Sequence, residues 1–326
     1  MQTRKLGGVE VSAVGLGCMG MSGSYGPADE DESIATIHAA MEAGVTLLNT
    51  GDFYGAGHNE MLVGRALAGK RGHAFVSVKF GAQLEPPGRI VGFDARPAAV
   101  KTYVTYSLRR LRTDYIDLYQ PARVDPNVPI EDTVGAVKEL IDAGYVRHLG
   151  LSEAGVDTIR RAHAVHPVIA LETEYSLATR DPEQGVLPVL RELGIGLVAY
   201  GVLSRGLLSG DVASPADLKP GDFRAHAPRF QGENLEQNLR LVGALRQVAE
   251  QTRLTPSQLA FAWVLSRGDD VVPLIGTKRR DRLAEALGAL DATLTPDELA
   301  LLERAVPAGA VAGTRYPAAA MAGLGR

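Results

Sequence analysis

The 326-residue chain has a single cysteine, Cys18, which excludes an intrachain disulfide and a cysteine-built zinc cluster and fits a reducing compartment. It lacks any apolar run near the ~20 residues that a bilayer span requires. Its first residues, MQTRKLGGVEVS, have neither the apolar core nor the cleavage site of a secretory leader. The expectation is a soluble, cytoplasmic protein with no membrane partner. Charge imbalance is also scarce: 34 basic against 38 acidic residues leave −4, so nucleic acid is not an expected partner and any anion site must be local. His163 and His166 have helical spacing but no third ligand beside them, so no metal site is expected. No linker-like stretch divides the chain, and residues 1–326 read as one domain.

What is present is an alternation. Gly7 and Gly8 between Thr3–Leu6 and Val9–Ser12 signal an opening hairpin, placed to plug one end of the fold. Apolar runs then predict eight strands, at Ala13–Gly17, Thr46–Thr50, Ala74–Phe80, Ile116–Pro121, Val146–Ser152, Val168–Tyr175, Gly196–Leu203 and Val271–Gly276. Between them, apolar residues at three- and four-residue spacing predict helices at Glu60–Leu67, Ala98–Leu111, Glu131–Ala143, Val156–His166 and Val186–Leu193. Such regularity favours an α/β fold, a (β/α)8 barrel of the TIM type, with further helices near Glu236–Thr252, Pro256–Ser266, Arg280–Leu290 and Pro296–Ala305. The segment Gly206–Asn234 is too long for an ordinary connection and reads as functional or mobile. The tail GTRYPAAAMAGLGR either covers part of a pocket or packs outside.

The stretch that organises the chain runs from Leu47 to Phe80. If its two strands are parallel neighbours, Tyr54 and Lys79 meet at adjacent strand ends although 25 residues separate them. A free phenol titrates near ~10, and a nearby ammonium is expected to lower that value, making the pair an acid for protonating a reduced carbonyl. A second cluster, in VVPLIGTKRRDRLAEAL, puts Lys278, Arg279, Arg280 and Arg282 within five positions at a helix start. Positive charge there opposes the helix dipole, and a phosphate would compensate it. Gly15, Gly17 and Gly20 spell GxGxxG, but a loop follows where a dinucleotide-binding helix should begin, so the match is read as accidental. Those glycines are expected to let backbone approach a ligand.

With these residues in place, LLNTGDFYG and AFVSVKF resemble the catalytic stretch of the aldo-keto reductases, and the likeness spans nearly the whole chain. It implies Tyr54 as proton donor and Lys79 as its electrostatic partner. Asn49 stands where the family usually has aspartate, and Ala122, in LYQPARVDP, where it usually has histidine. Asn49 is expected to keep a hydrogen bond to Lys79. Asp52 and His58 are not expected to replace the missing groups, His58 simply opening a helix. The resemblance further implies a site for NADPH/NADP+. Lys278, Arg279 and Arg282 would contact the adenosine phosphate, Gly276 and Thr277 would belong to the same cofactor site, and Glu285 would lie by the adenine, with Ala286 in place of an asparagine. Tyr200 would stack on nicotinamide, and Gly201, Leu203, Ser204 and Gly206 would loop around the pyrophosphate. Ser152, Glu153 and Glu172 would hold the carboxamide, Glu172 replacing a common glutamine. Met19, Phe53, Phe80 and Ala122 would line the substrate pocket. The implied activity is reversible reduction of a small aldehyde or ketone, or oxidation of the alcohol. A cofactor-binding sensor with little turnover is the rival from another class, and a barrel enzyme that does not use nicotinamide is the third reading.

Overall fold

In the computed structural model, which describes residues 1–218 and 221–325, eight parallel strands close into a barrel. A hairpin of β1 (Thr3–Leu6) and β2 (Val9–Ser12) precedes β3 (Gly15–Gly17), β4 (Leu47–Gly51) and β5 (Phe75–Phe80). A second hairpin, β6 (Ala82–Glu85) and β7 (Arg89–Phe93), comes before β8 (Ile116–Pro121), β9 (Val146–Ser152), β10 (Val168–Glu174), β11 (Gly196–Tyr200) and β12 (Val271–Gly276). Barrel order is β3-β4-β5-β8-β9-β10-β11-β12, and β12 pairs with β3 to close the cylinder. The hairpin after β5 was not expected; its alternation is short and interrupted by Pro86 and Pro87.

Helices follow the strands and cover the barrel: α1 (Glu30–Glu42), α2 (His58–Ala66), α3 (Pro97–Leu111), α4 (Ile130–Asp142), α5 (Val156–Val165), α6 (Val186–Leu193), α7 (Gly232–Thr252), α8 (Pro256–Leu265), α9 (Arg280–Leu287), α10 (Pro296–Ala305) and the short α11 (Ala318–Met321). Their ends follow local chemistry. The Asp29 side chain accepts from the Glu32 amide at 2.9 Å and the acidic first turn of α1 complements the dipole. Thr255 with Gln258, and Thr295 with Glu298, form reciprocal caps at α8 and α10. Gly194 ends α6 in the left-handed conformation.

One end of the barrel is closed by apolar packing. Leu6 and Val11 of the first hairpin join Leu47, Leu118, Val198, Val272 and Leu274 from the strands. Gly196 permits this approach, because a Cβ there would lie 2.5 Å from Leu6 Cδ2. Gly15 belongs to the same layer: a Cβ would lie 2.6 Å from Leu274 and 2.8 Å from Leu47. Its role is therefore packing, and the expectation that it admits a ligand is corrected. The period of two along each strand then turns polar, so that Asn49, Ser77, Lys79, Gln120 and Glu172 meet, all buried, above the apolar plug.

The other end carries the long segment and the tail. Phe230, Leu207, Val212 and Leu235 form a separate small core there, and Val311 of the tail packs against it. Lys219 and Pro220 of the long segment, and Arg326 of the tail, lie outside the described residues. Tail residues Arg315 and Tyr316 reach Glu153 and Tyr200, so the tail covers the barrel mouth.

Candidate active site

Lys79 is placed by register. β4 and β5 pair with Gly51 opposite Lys79 and Asn49 opposite Ser77, which sends both polar side chains into the barrel. The Lys79 ammonium donates to Asn49 Oδ1 at 2.6 Å and to the Glu172 carboxylate oxygens at 3.0 and 3.2 Å. Asn49 Nδ2 donates to Glu172 Oε2 at 2.7 Å, and Gln120 Nε2 donates to the same oxygen at 2.5 Å. The carboxylate that Asn49 cannot supply is thus delivered by β10, from across the barrel. An isolated buried ammonium would cost several kcal/mol, and this pairing offsets that cost. Burial still draws the Lys79 titration below its ordinary value, against the opposing pull of Glu172.

Tyr54 sits in the turn that follows β4, where Gly55 and Ala56 take left-handed backbone angles before α2 begins at His58. Its ring lies 5.2 Å from the Lys79 nitrogen and packs edge-on against Phe53 at 4.7 Å. The expected lowering of the phenol's titration is reversed. Burial holds Tyr54 well above its ordinary value, the Glu172 charge and Tyr316 reinforce this, and Arg123 opposes it. The reason is that Lys79 arrives already matched by Glu172, so the pair presents little net positive charge to the phenol.

Other expected residues divide. Asp52 lies outside the Lys79 cluster, accepting from the Gly81 amide at 3.2 Å, with burial raising its carboxyl to about 7. His58 opens α2 and contacts Ser22 and Glu30. Ala122 is buried at the end of β8, and Met19 and Phe53 are partly exposed. Phe80 is a correction: β5 alternation turns it to the face opposite Lys79, where it is fully buried and stacked on Tyr119 at 4.2 Å in the layer between barrel and helices.

The residues that would hold a dinucleotide form an arc along the strand ends. Ser152 Oγ is buried with no hydrogen-bond partner among the described residues, which fits an acceptor or donor for an amide group. Glu172 is committed to Lys79, and Glu153 accepts from Tyr200 Oη at 2.7 Å and Arg315 at 3.0 Å. Burial raises the Glu153 carboxyl, but Arg315 and Arg123 outweigh it and hold the group below its usual range. Gly201, Ser204 and Gly206 all have positive φ, forming a tight turn in which Ser204 Oγ accepts from Arg229 at 3.0 Å; Leu203 is partly buried in the same turn. Beyond β12, Gly276 is exposed and Thr277 Oγ1 accepts from the Arg279 amide at 3.2 Å. Lys278 reaches the carbonyl of Gly26 at 3.2 Å, Arg279 pairs with Asp281, and Arg282 binds Asp211 at 2.8 Å and Glu285 at 3.0 Å. Arg280 turns away to Glu32. These pairs are partly or fully exposed and screened by solvent, so a phosphate can replace them. The donor set fits an anionic dinucleotide.

Four site residues escaped the sequence reading. Gln120 was present in the LYQP motif, and its parity with Ala122 was the available signal. Arg123, Arg315 and Tyr316 had none, because their approach depends on where a loop and a tail land. Tyr316 Oη is 3.0 Å from Tyr200 Oη. Among the described residues, no group of three or more His, Cys, Asp or Glu side chains could hold a metal ion, and no helix is long and apolar enough to cross a membrane.

Comparison with known proteins agrees with this fold. Residues 13–307 match the model of the Aldo/keto reductase family. Probable aldo-keto reductase 1 of Glycine max is 44% identical over 322 residues, 97% of this chain and 92% of the relative. The aldo-keto reductase yakc, NADP(+), of Schizosaccharomyces pombe is 41% identical over 320 residues, 97% of this chain and 94% of the relative. Among solved structures, the glycerol dehydrogenase AKR11B4 of Gluconobacter oxydans superposes with a TM-score of 0.84 at 31% identity, covering 94% of this chain and 96% of that one.

Proposed function

Because the chain belongs to the aldo/keto reductase family, we propose that it reduces a small aldehyde or ketone with NADPH, Tyr54 delivering the proton and Lys79 holding it in place. When bound, NADPH supplies the hydride. The chain's own residues do the rest. Tyr54, kept protonated by burial, carries the proton that the carbonyl oxygen takes up. Lys79 stands 5.2 Å from the Tyr54 ring and stabilises the phenolate that forms as the proton leaves. Glu172, Asn49 and Gln120 fix the ammonium so that its position does not change during the reaction. Ser152 would hold the carboxamide, and Tyr200 would support the nicotinamide face. Lys278, Arg279 and Arg282 would bind the phosphate that distinguishes NADPH from NADH, a ligand named also in the yeast relative.

The observation that carries this reading is the Tyr54–Lys79 approach over an ordered carboxylate. A single-turnover assay with NADPH and a panel of aldehydes and ketones tests it. Oxidation of the nicotinamide with at least one carbonyl is expected; tight NADPH binding with no oxidation by any of them would overturn the enzyme reading.

A further inference from the structure

The cationic side chains at the barrel mouth outnumber the carboxylates that pair with them among the described residues. Lys79 is paired with Glu172, Arg315 with Glu153, and Arg205 and Arg229 share Glu174. Arg123 is in no ion pair among the described residues. It directly follows Ala122 at the end of β8, is partly buried, and its guanidinium carbon lies 5.9 Å from the Tyr316 ring centroid. One nitrogen, Nη1, donates to the Ala122 carbonyl at 2.6 Å. That bond anchors the side chain, and among the described residues no side chain or carbonyl accepts from the edge formed by Nε and Nη2. This edge presents two parallel N–H groups, the geometry that takes a carboxylate bidentately. The preceding residue, Ala122, donates its amide to the Phe80 carbonyl at 2.8 Å, and Gln120 is opposite Lys79, so Arg123 leaves β8 beside the strand end that carries Lys79.

We propose that Arg123 is a substrate-binding residue and that the preferred substrate is an aldehyde or ketone bearing a carboxylate. The proposal rests on the reductase reading and adds the class of substrate. A single guanidinium edge with no ion-pair partner among the described residues suits a planar monoanion. The carboxylate closes the ion pair that the protein leaves open, and release of the alcohol product restores it, with no change in Arg123 itself.

The test compares 4-carboxybenzaldehyde with its neutral isostere 4-formylbenzamide, and glyceraldehyde 3-phosphate with glyceraldehyde, in the NADPH-loaded protein and in Arg123→Leu. The wild type should favour the carboxylate over the amide by at least about tenfold in kcat/KM, and Arg123→Leu should abolish that ratio, mainly through KM. Arg123→Lys should recover part of it. An equal loss on both benzaldehydes, or a wild type that does not prefer the acid, overturns the proposal, as does a phosphate preference exceeding the carboxylate one. Calorimetric titration of benzoate and benzamide into the NADP+-loaded protein separates this from the reductase reading. Benzoate binding that Arg123→Leu removes supports the anion site even without turnover; equal benzoate binding by both proteins overturns it.

Discussion

Glu172 on β10 reaches Lys79 on β5 across the barrel, its two oxygens 3.0 and 3.2 Å from the ammonium nitrogen. Asn49 is hydrogen-bonded to both groups, so the negative charge has a place to return to on β4.

Exchange of that charge is therefore testable. Glu172→Gln should leave Lys79 buried without a carboxylate and destabilise the fold by about 3 kcal/mol. Adding Asn49→Asp should recover most of the loss, because Asn49 Oδ1 is already 2.6 Å from the ammonium. Denaturant unfolding of the two variants checks this. A double variant no more stable than Glu172→Gln would mean that the Lys79 charge does not depend on its counter-ion.

Tyr54→Phe removes only the hydroxyl. Turnover should fall by about a hundredfold or more, while NADPH affinity stays within about twofold. Stopped-flow measurement of nicotinamide oxidation with fluorescence titration of the cofactor separates the two effects; retained turnover would strip Tyr54 of its assigned role.

Arg282→Ala should weaken NADPH by about tenfold or more and NADH by much less, since only NADPH carries the extra phosphate. The Arg282 pairs with Asp211 and Glu285 are partly exposed, so their loss should not lower the melting temperature appreciably. Equal weakening of both cofactors would move the phosphate site elsewhere.

Asp52 gives a pH prediction. Burial raises its carboxyl from 3.8 to about 7 in the folded protein. The folded state therefore binds a proton that the unfolded chain has lost, and this contribution is fully present below pH ~4 and disappears as pH rises through ~7. Asp52→Asn should be more stable than the wild type at pH 8, by at most about 4 kcal/mol, and should show no such gain at pH 4. Melting curves at the two pH values check it; an equal shift at both would contradict the raised titration.

Legibility was uneven for reasons visible in particular residues. Strand and helix boundaries shifted by a few residues, and Tyr54 and Lys79 were found because a strand, a turn and a helix separate them in a regular unit. The second hairpin at Ala82–Phe93 was missed because its strands are short and only one of their residues is fully buried. Phe80 was placed on the wrong face because it neighbours Lys79 in sequence, whereas a strand sends neighbours to opposite sides.

By itself the sequence determined the alternation of elements, the hairpin plug, and which phenol and which ammonium are brought together, since all of these follow from local periodicity and short separations. Only the tertiary structure decided where the missing carboxylate came from and which guanidinium was left over. Glu172 lies 93 residues from Lys79, and Arg315 lies 162 residues from Glu153. Closure of the barrel makes neighbours of such distant side chains, and the electrostatics of the site depends on which charges end up side by side in a buried place.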